Sequence, residues 1–369
     1  KERRPASVGH ATTRRMSARL ALQGVTPEEI AAQVPGVLLA EARRVVARVH
    51  AGQDVALPHP GVRRSARAAV CAAGHVPSFE VVERVQSSYD GFLKLVLRTG
   101  DGRLLETVRI PLERPGRFSV CVSSQIGCAL ACAFCATGRL GLGRNLEVWE
   151  IVEQVRSLRA TLDLERGERV HGVVFQGMGE PLANLDRVLA AVRVLGEPSG
   201  LAIDARKITI STAGLPAGMR RLAREAPRVR LAWSIGTARP KARHRLMPID
   251  DAHPLEESYA ACVEHARQTG LSPLWAVTLL AGTNDSEADA QALAALARRF
   301  SADAGRPPRI SIIPYNRIDA DAGDPFRPSS AAAEQLFRST LHALGVFTHK
   351  RYSGGGDVAA ACGQLAAKA

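Results

Sequence analysis

The apolar residues of this chain change their spacing three times. Over residues 1–52 they recur at helical spacing on a basic background. Thr26 is placed to cap a helix that has Pro27 at its first position. Val34-Pro35-Gly36-Val37 then separates two apolar-periodic runs, the second ending in Arg43, Arg44 and Arg48. The pattern predicts either a helix–hairpin–helix nucleic-acid module or an ordinary helical hairpin. Residues 53–75, rich in Pro, His and Arg, read as a linker or irregular segment. The period then shortens. Phe92–Leu97 and Leu104–Ile110 are strand candidates joined by the turn Thr99-Gly100-Asp101-Gly102, a β-hairpin whose second strand carries one carboxylate, Glu106, among apolar neighbours. From about residue 117 short apolar strands alternate with helical stretches. The strands are Arg117–Val122, Gly172–Phe175, Lys207–Ser211, Val229–Ser234, Leu274–Leu280 and Arg309–Pro314. The helices are roughly 147–160, 184–195, 216–225, 254–269, 286–300 and 330–344. This alternation predicts an α/β fold with parallel strands. Six units are too few for a closed eight-stranded barrel, so an open (β/α)6 partial barrel is expected. Active sites in such folds lie at the C-terminal ends of the strands. A last strand, Val346–Arg351, leads into Gly354-Gly355-Gly356 and a tail.

This divides the chain into a basic helical domain with a linker (1–75), a β-hairpin extension (76–116), the barrel core (117–345), and a final strand with its tail (346–369). No run of about 18 apolar residues occurs, so no transmembrane helix is expected. The start, Lys1-Glu2-Arg3-Arg4, leads into no apolar region and argues against secretion. With the clustered cysteines, that points to a reducing cytoplasm, and a monomer is expected. The net charge of +13 favours a polyanionic partner such as RNA. Abundant Arg and Ala would also follow from a GC-rich genome, so the charge counts only together with other signals.

The chemistry concentrates in one loop. Cys128, Cys132 and Cys135 fall at a C-x3-C-x2-C spacing directly after the first parallel strand, before a run of small residues from Ala136 to Gly143. A mononuclear zinc or iron site normally takes four protein ligands, and no fourth Cys or His is near. Three thiolates on a 4Fe-4S cluster leave one iron free for a cofactor or substrate. That spacing is the signature of radical S-adenosylmethionine (SAM) enzymes. After the second strand, Gln176-Gly177-Met178-Gly179-Glu180-Pro181 lets the backbone approach a ligand, with Glu180 placed to accept from an ammonium group such as that of SAM. Ser211-Thr212-Ala213-Gly214, Ser234-Ile235-Gly236 and Pro314-Tyr315-Asn316 end later strands on the same face. Two further cysteines stand out: Cys121, on the first parallel strand, and Cys362, in the glycine-led tail. Cys71 and Cys262 have no such context and are expected to be structural.

In order along the chain, C-x3-C-x2-C-A-T-G with Arg144-Asn145-Leu146, Gly177-Met178-Gly179-Glu180-Pro181-Leu182, Ser211-Thr212-x-Gly214, Leu246-Met247-Pro248-Ile249, Asn284-Asp285 and Ala360-Ala361-Cys362-Gly363-Gln364-Leu365 resemble the RlmN/Cfr family of radical-SAM RNA methyltransferases. The resemblance covers roughly residues 92–366. It implies a radical-SAM partial barrel with a small N-terminal domain, acting on C2 or C8 of an adenosine in 23S rRNA and, for RlmN, in certain tRNAs. It implies that Cys128, Cys132 and Cys135 hold a 4Fe-4S cluster. Gly179, Glu180, Ser211, Ser234, Ile235, Gly236 and Asn316 match SAM-contacting positions. Cys362 matches the cysteine that one SAM methylates, Cys121 the cysteine that resolves the protein–RNA adduct through a disulfide, and Glu106 the proton acceptor. Two SAM molecules per turnover and a flavodoxin-type electron donor follow from the same resemblance.

The sequence departs from the family in three places. Ser234-Ile235-Gly236 stands where the family usually has Ser-Leu-His. Ser353-Gly354-Gly355-Gly356-Asp357 replaces a bulkier approach to the tail cysteine. The N-terminal region matches poorly. These departures point to a divergent paralogue, and they keep two competitors in view: the same chemistry on a small molecule or peptide, and a non-catalytic metal-bearing RNA-binding protein.

Overall fold

A computed structural model describes residues 19–318, 323–351 and 354–365. Lys1, Glu2, Arg3, Arg4 and Ser353, named above, lie outside these residues. The N-terminal region is built on helices α1 (Pro27–Gln33), α2 (Leu39–His50) and α3 (Arg64–Ala73). Thr26 caps α1: its N–H donates to the Glu29 carboxylate at 2.8 Å, and the Glu29 N–H donates back to its hydroxyl at 3.3 Å. Leu22, Ile30, Val45, Val46, Val49, Ala66 and Val70 form a core of their own between the helices. α3 falls inside the stretch expected to be irregular. Its arginines mask an apolar stripe, Ala66 and Val70, spaced four apart, and both side chains are buried. The region docks on helix Val148–Arg159 of the main body. There Arg156 and Arg159 donate to the carbonyls of Val49 and His50 at 2.8 and 2.9 Å, placing cations at the negative end of α2.

The main body is a ten-stranded sheet. Its strands are β1 (Glu80–Gln86), β2 (Leu93–Arg98), β3 (Leu104–Pro111), β4 (Arg117–Val122), β5 (Arg169–Phe175), β6 (Ile208–Thr212), β7 (Arg230–Ser234), β8 (Leu274–Leu279), β9 (Arg309–Pro314) and β10 (Thr348–Lys350). They lie side by side in chain order. β1 to β4 pair antiparallel, and β4 to β10 pair parallel. The six expected parallel strands occur, two with the predicted limits and the others within three residues of them. β1 was not foreseen. It is an exposed edge strand with a bulge between Val81 and Glu83, so its side chains show no clean alternation.

Every parallel strand lines a shared lumen: Ser119, Val174, Thr209, Ala232, Leu274 with Ala276, Ser311 and His349. β10 and β4 stand at no shared ladder, so the barrel is open on that side. On the outer face Trp233, Trp275 and Phe300 pack edge to face beneath the helices, with ring centroids 5.1–5.5 Å apart. Among the described residues no helix is long and apolar enough to cross a membrane.

Candidate active site

The loop after β4 is pinned before it reaches its first cysteine. The Ser123 N–H donates to the Gln154 side chain at 2.7 Å, and its hydroxyl donates to the Glu106 carbonyl at 2.7 Å. Gly127 has φ +73°, and a Cβ there would stand 1.9 Å from the Gly141 carbonyl oxygen. Only glycine fits, and the close approach lets the Cys128 N–H donate to that carbonyl at 2.8 Å. Ala131, between the first two cysteines, also lies in the left-handed region at φ +48°, at a cost of about 1 kcal/mol for a residue with a side chain. The Ala133 N–H donates to the Leu246 carbonyl at 3.0 Å, joining the loop to the Leu246-Met247-Pro248-Ile249 segment.

Cys128, Cys132 and Cys135 line one cavity with about 930 Å³ of empty space, its open mouth included. Gly179, Glu180, Ser211, Ser234 and Gly236 share its wall, and so does Cys362. The donor set fits a cluster. Among the described residues no three His, Cys, Asp or Glu side chains converge to hold a single ion. The three thiols instead stand round a common space, where each can meet a separate iron. Burial pushes the Cys128 thiol up to about 11 and raises those of Cys132 and Cys135 as well. Neutral thiols are therefore what the metal-free loop presents, and taking up iron displaces their protons. Burial also pushes Glu180 up to about 7, against the N–H groups of Ala213 and Leu182, which donate to its carboxyl at 2.9 and 3.0 Å. A cationic ligand beside Glu180 would restore its ionised form.

Cys121 faces a second, smaller cavity with about 470 Å³ of empty space, and Cys362 lines that one too, together with Phe92, Ile110, Gln176 and Arg351. The tail that brings Cys362 there is fastened across the open side of the barrel. Gly363 and Leu365 carbonyls accept from the Ala136 N–H and the Thr137 hydroxyl of the cysteine loop. The Gly355 N–H donates to Asp90 at 2.9 Å.

Of the residues matched to functional positions, Ile235, Asn316 and Glu106 do not line the large cavity. Ile235 turns its side chain into the main core, and its N–H and carbonyl are spent on Ala276 and Arg243. Asn316 donates to the Cys362 carbonyl at 3.2 Å, so it holds the tail and does not line the large cavity. Glu106 lies buried in an ion pair with Lys94 at 2.9 Å and lines neither cavity. Lys94 also donates to the Ala359 carbonyl of the tail at 3.4 Å, while the second carboxylate oxygen of Glu106 has no protein partner. The basic run from Arg239 to Arg245 is partly structural. Arg243 is fully buried on Asp250 and the Ala213 carbonyl, Arg239 pairs with Asp289, and His244 stands beside Asp251.

Arg351 and Gln125 have no role in the sequence reading, and Gln176 enters it only as the start of the glycine-rich turn. Gln125 receives the Glu180 N–H at 2.8 Å. Gln176 had a usable signal, a polar residue at the end of a strand directly before the glycine-rich turn. Gly236 stands where the resemblance implies a histidine. It has φ +70°, and a Cβ there would come within 2.6 Å of the Met247 sulfur. Gly236→Ala is expected to lower stability by about 1–2 kcal/mol from the backbone term alone, read as a lower urea midpoint at unchanged m-value. Gly236→His is expected to be worse still.

The comparisons agree with this geometry. A model of the radical SAM superfamily matches residues 122–297. A probable RNA methyltransferase of Sorangium cellulosum is 57% identical over 92% of this chain and 90% of its own. A probable dual-specificity RNA methyltransferase RlmN of Moorella thermoacetica is 38% identical over 95% of this chain and 98% of its own. The crystal structure of a radical SAM methyltransferase from Sphaerobacter thermophilus superposes with a TM-score of 0.83 at 35% identity, covering 94% of this chain and 99% of that one. With the ordered cysteine loop, the glycine-rich turn after β5 and the tail cysteine, these likenesses establish that the chain belongs to the RlmN/Cfr-like family of radical-SAM methyltransferases.

Proposed function

We propose that this enzyme places a methyl-derived carbon on C2 or C8 of an adenosine in RNA, most directly in 23S rRNA and also in tRNA. Cys362 carries the carbon and Cys121 releases the product. One observation carries the reading: Cys362 lines both cavities, the one ringed by Cys128, Cys132, Cys135 and Glu180, and the one that holds Cys121. A single side chain thus meets the place where a carbon is loaded and activated and the place where it is discharged.

In this reading the three loop cysteines hold a 4Fe-4S cluster. Glu180, with Gly179, Ser211, Ser234 and Gly236, receives SAM, two molecules being used per turnover. When bound, cluster and SAM supply a 5′-deoxyadenosyl radical, with a flavodoxin-type protein as electron source. The chain's own residues do the rest. Cys362 presents its S-methyl carbon to the ring. Glu106 would take the ring proton once its contact with Lys94 is exchanged for one with the substrate, and the odd electron left on the ring by radical addition would return to the oxidised cluster. The Cys121 thiolate then attacks the Cys362 sulfur. The S–S bond forms, the S–C bond breaks, and its electron pair passes into the purine, which takes a proton at the new carbon. An sp² ring carbon is electrophilic, so simple methyl transfer from SAM would fail there. A base reaching Cys362 must leave its stack, which suits loop or single-stranded RNA.

Gly236 and Met247 in the wall of the large cavity, where the resemblance implies an imidazole at 236, favour a second reading, the same chemistry on a small molecule or peptide. Mass mapping of ribosomal and transfer RNA from cells with and without the gene decides between them. An adenosine heavier by one methyl group, present only with the gene, is the expected result. Identical RNA maps alongside SAM cleavage by the pure enzyme would move the function to the second reading.

A further inference from the structure

The resolving step needs a nucleophile that its surroundings discourage. The thiolate, not the thiol, attacks sulfur, yet Cys121 is 9% exposed on the inner face of β4. Burial is the largest influence on it and pushes its thiol up to about 12. Something in the cavity has to counter that. Among the described residues lining the space shared by Cys121 and Cys362, Arg351 bears the one charged side chain. It emerges directly after β10, where its N–H donates to the Ile312 carbonyl at 2.9 Å. Its guanidinium donates to the Gln176 side-chain oxygen at 2.7 Å. Gln176 ends β5, the neighbour of β4, and lines both cavities as well as the barrel lumen. A planar cation is therefore fixed from two strands in the wall beside the two thiols. The groups that act on Cys121 electrostatically are Cys362 from the tail, Arg351, and the main-chain N–H of Gln176. β3 faces it with the uncharged Val108.

We propose that Arg351, tethered by Gln176, is the positioning residue that makes Cys121 nucleophilic, stabilising its thiolate in the step that breaks the Cys362–carbon bond. The proposal rests on the reading of Cys121 as the resolving thiol. Arginine stays protonated throughout, so it takes no proton. The Cys121 proton leaves to solvent, and the guanidinium holds the charge left on sulfur. Once the disulfide forms that charge is gone, and the guanidinium keeps only its bond to Gln176.

The test uses full-length, reduced, cluster-loaded protein. The rate of Cys121 alkylation by iodoacetamide is followed across pH by mass spectrometry of the Cys121 peptide. Arg351→Met is expected to slow alkylation at about pH 8 by about tenfold or more, as a one-unit upward displacement of the profile requires. Arg351→Lys, which keeps the charge, is expected to recover most of the rate. Gln176→Leu, which frees the guanidinium, is expected to fall between. An unchanged profile in Arg351→Met overturns the proposal, as does equal slowing in the Met and Lys variants, which would make the role one of packing. If Arg351→Met does not fold, an unchanged rate in Gln176→Leu overturns it instead. The assay contains no RNA, so its outcome is separate from the relay itself. A Cys121→Ala enzyme that turns over normally would remove the relay while leaving the alkylation result standing.

Discussion

Replacing Cys128, Cys132 or Cys135 by alanine is expected to abolish iron binding, the brown absorbance near about 400 nm expected of a thiolate-held cluster, and all SAM cleavage. The loop has no slack with which to recruit a substitute. It is fixed at Cys128 by the Gly141 carbonyl, at Ala133 by the Leu246 carbonyl, and at Ala136 by the Gly363 carbonyl. No histidine lines the cavity among the described residues, and its one carboxylate, Glu180, is held by two main-chain donors. The wall does contain a fourth thiol, Cys362, so the control matters. Cys362→Ala should keep its full iron and its chromophore, because the tail cysteine is read as a carrier and not a ligand. Loss of iron in that variant, or full iron in any of the loop variants, would redraw the ligand set. The pH dependence has a definite sign. The buried thiols of the metal-free protein have raised pKa values, so they are protonated at neutral pH and must release protons to bind. Reconstitution should therefore improve as pH rises towards about 11, the value to which burial moves Cys128.

The parallel half of the fold was legible because buried parallel strands read as short apolar runs between helices, and every such run here became a strand. The edge strand β1 was not, since an exposed, bulged strand keeps no period of two. The cysteine loop was legible because ligand spacing is local. Distances between remote residues were not. Nothing in the local sequence shows that Lys94 lies 2.9 Å from Glu106, or that Asn316 reaches the Cys362 carbonyl. Charge misled for the same reason. Arg243 belongs to a run that looks solvated, yet tertiary packing buries it completely against Asp250 and two main-chain carbonyls. Gly236 is the instructive case. As a letter it is a missing imidazole, and in the structure it is the room that Met247 occupies.

The two tail-side cysteines are expected to fail in opposite ways. Cys362→Ala should lose methylation of the substrate completely while retaining the cluster, since no sulfur is left to carry the carbon. Wild-type protein from cells that supply SAM should show the complementary sign, a one-methyl mass increase on the C-terminal peptide. In Cys121→Ala the carbon is loaded and added, but no thiolate is present to break the Cys362–carbon bond. A covalent protein–substrate adduct through Cys362 should accumulate, and its mass would identify the substrate directly. The geometry makes this specific to Cys121. The remaining cysteines, Cys71 and Cys262, lie on α3 and on helix Leu255–Thr269, and neither lines the small cavity. In the proposed reading a cluster would occupy Cys128, Cys132 and Cys135. The disulfide requires Cα atoms roughly 4.4–6.8 Å apart. The shared cavity already faces the two side chains toward one space, and the tail that carries Cys362 is held by hydrogen bonds that can exchange. A Cys121→Ala enzyme that turns over at the wild-type rate with no adduct would make Cys121 a core residue of β4 and require another route for product release.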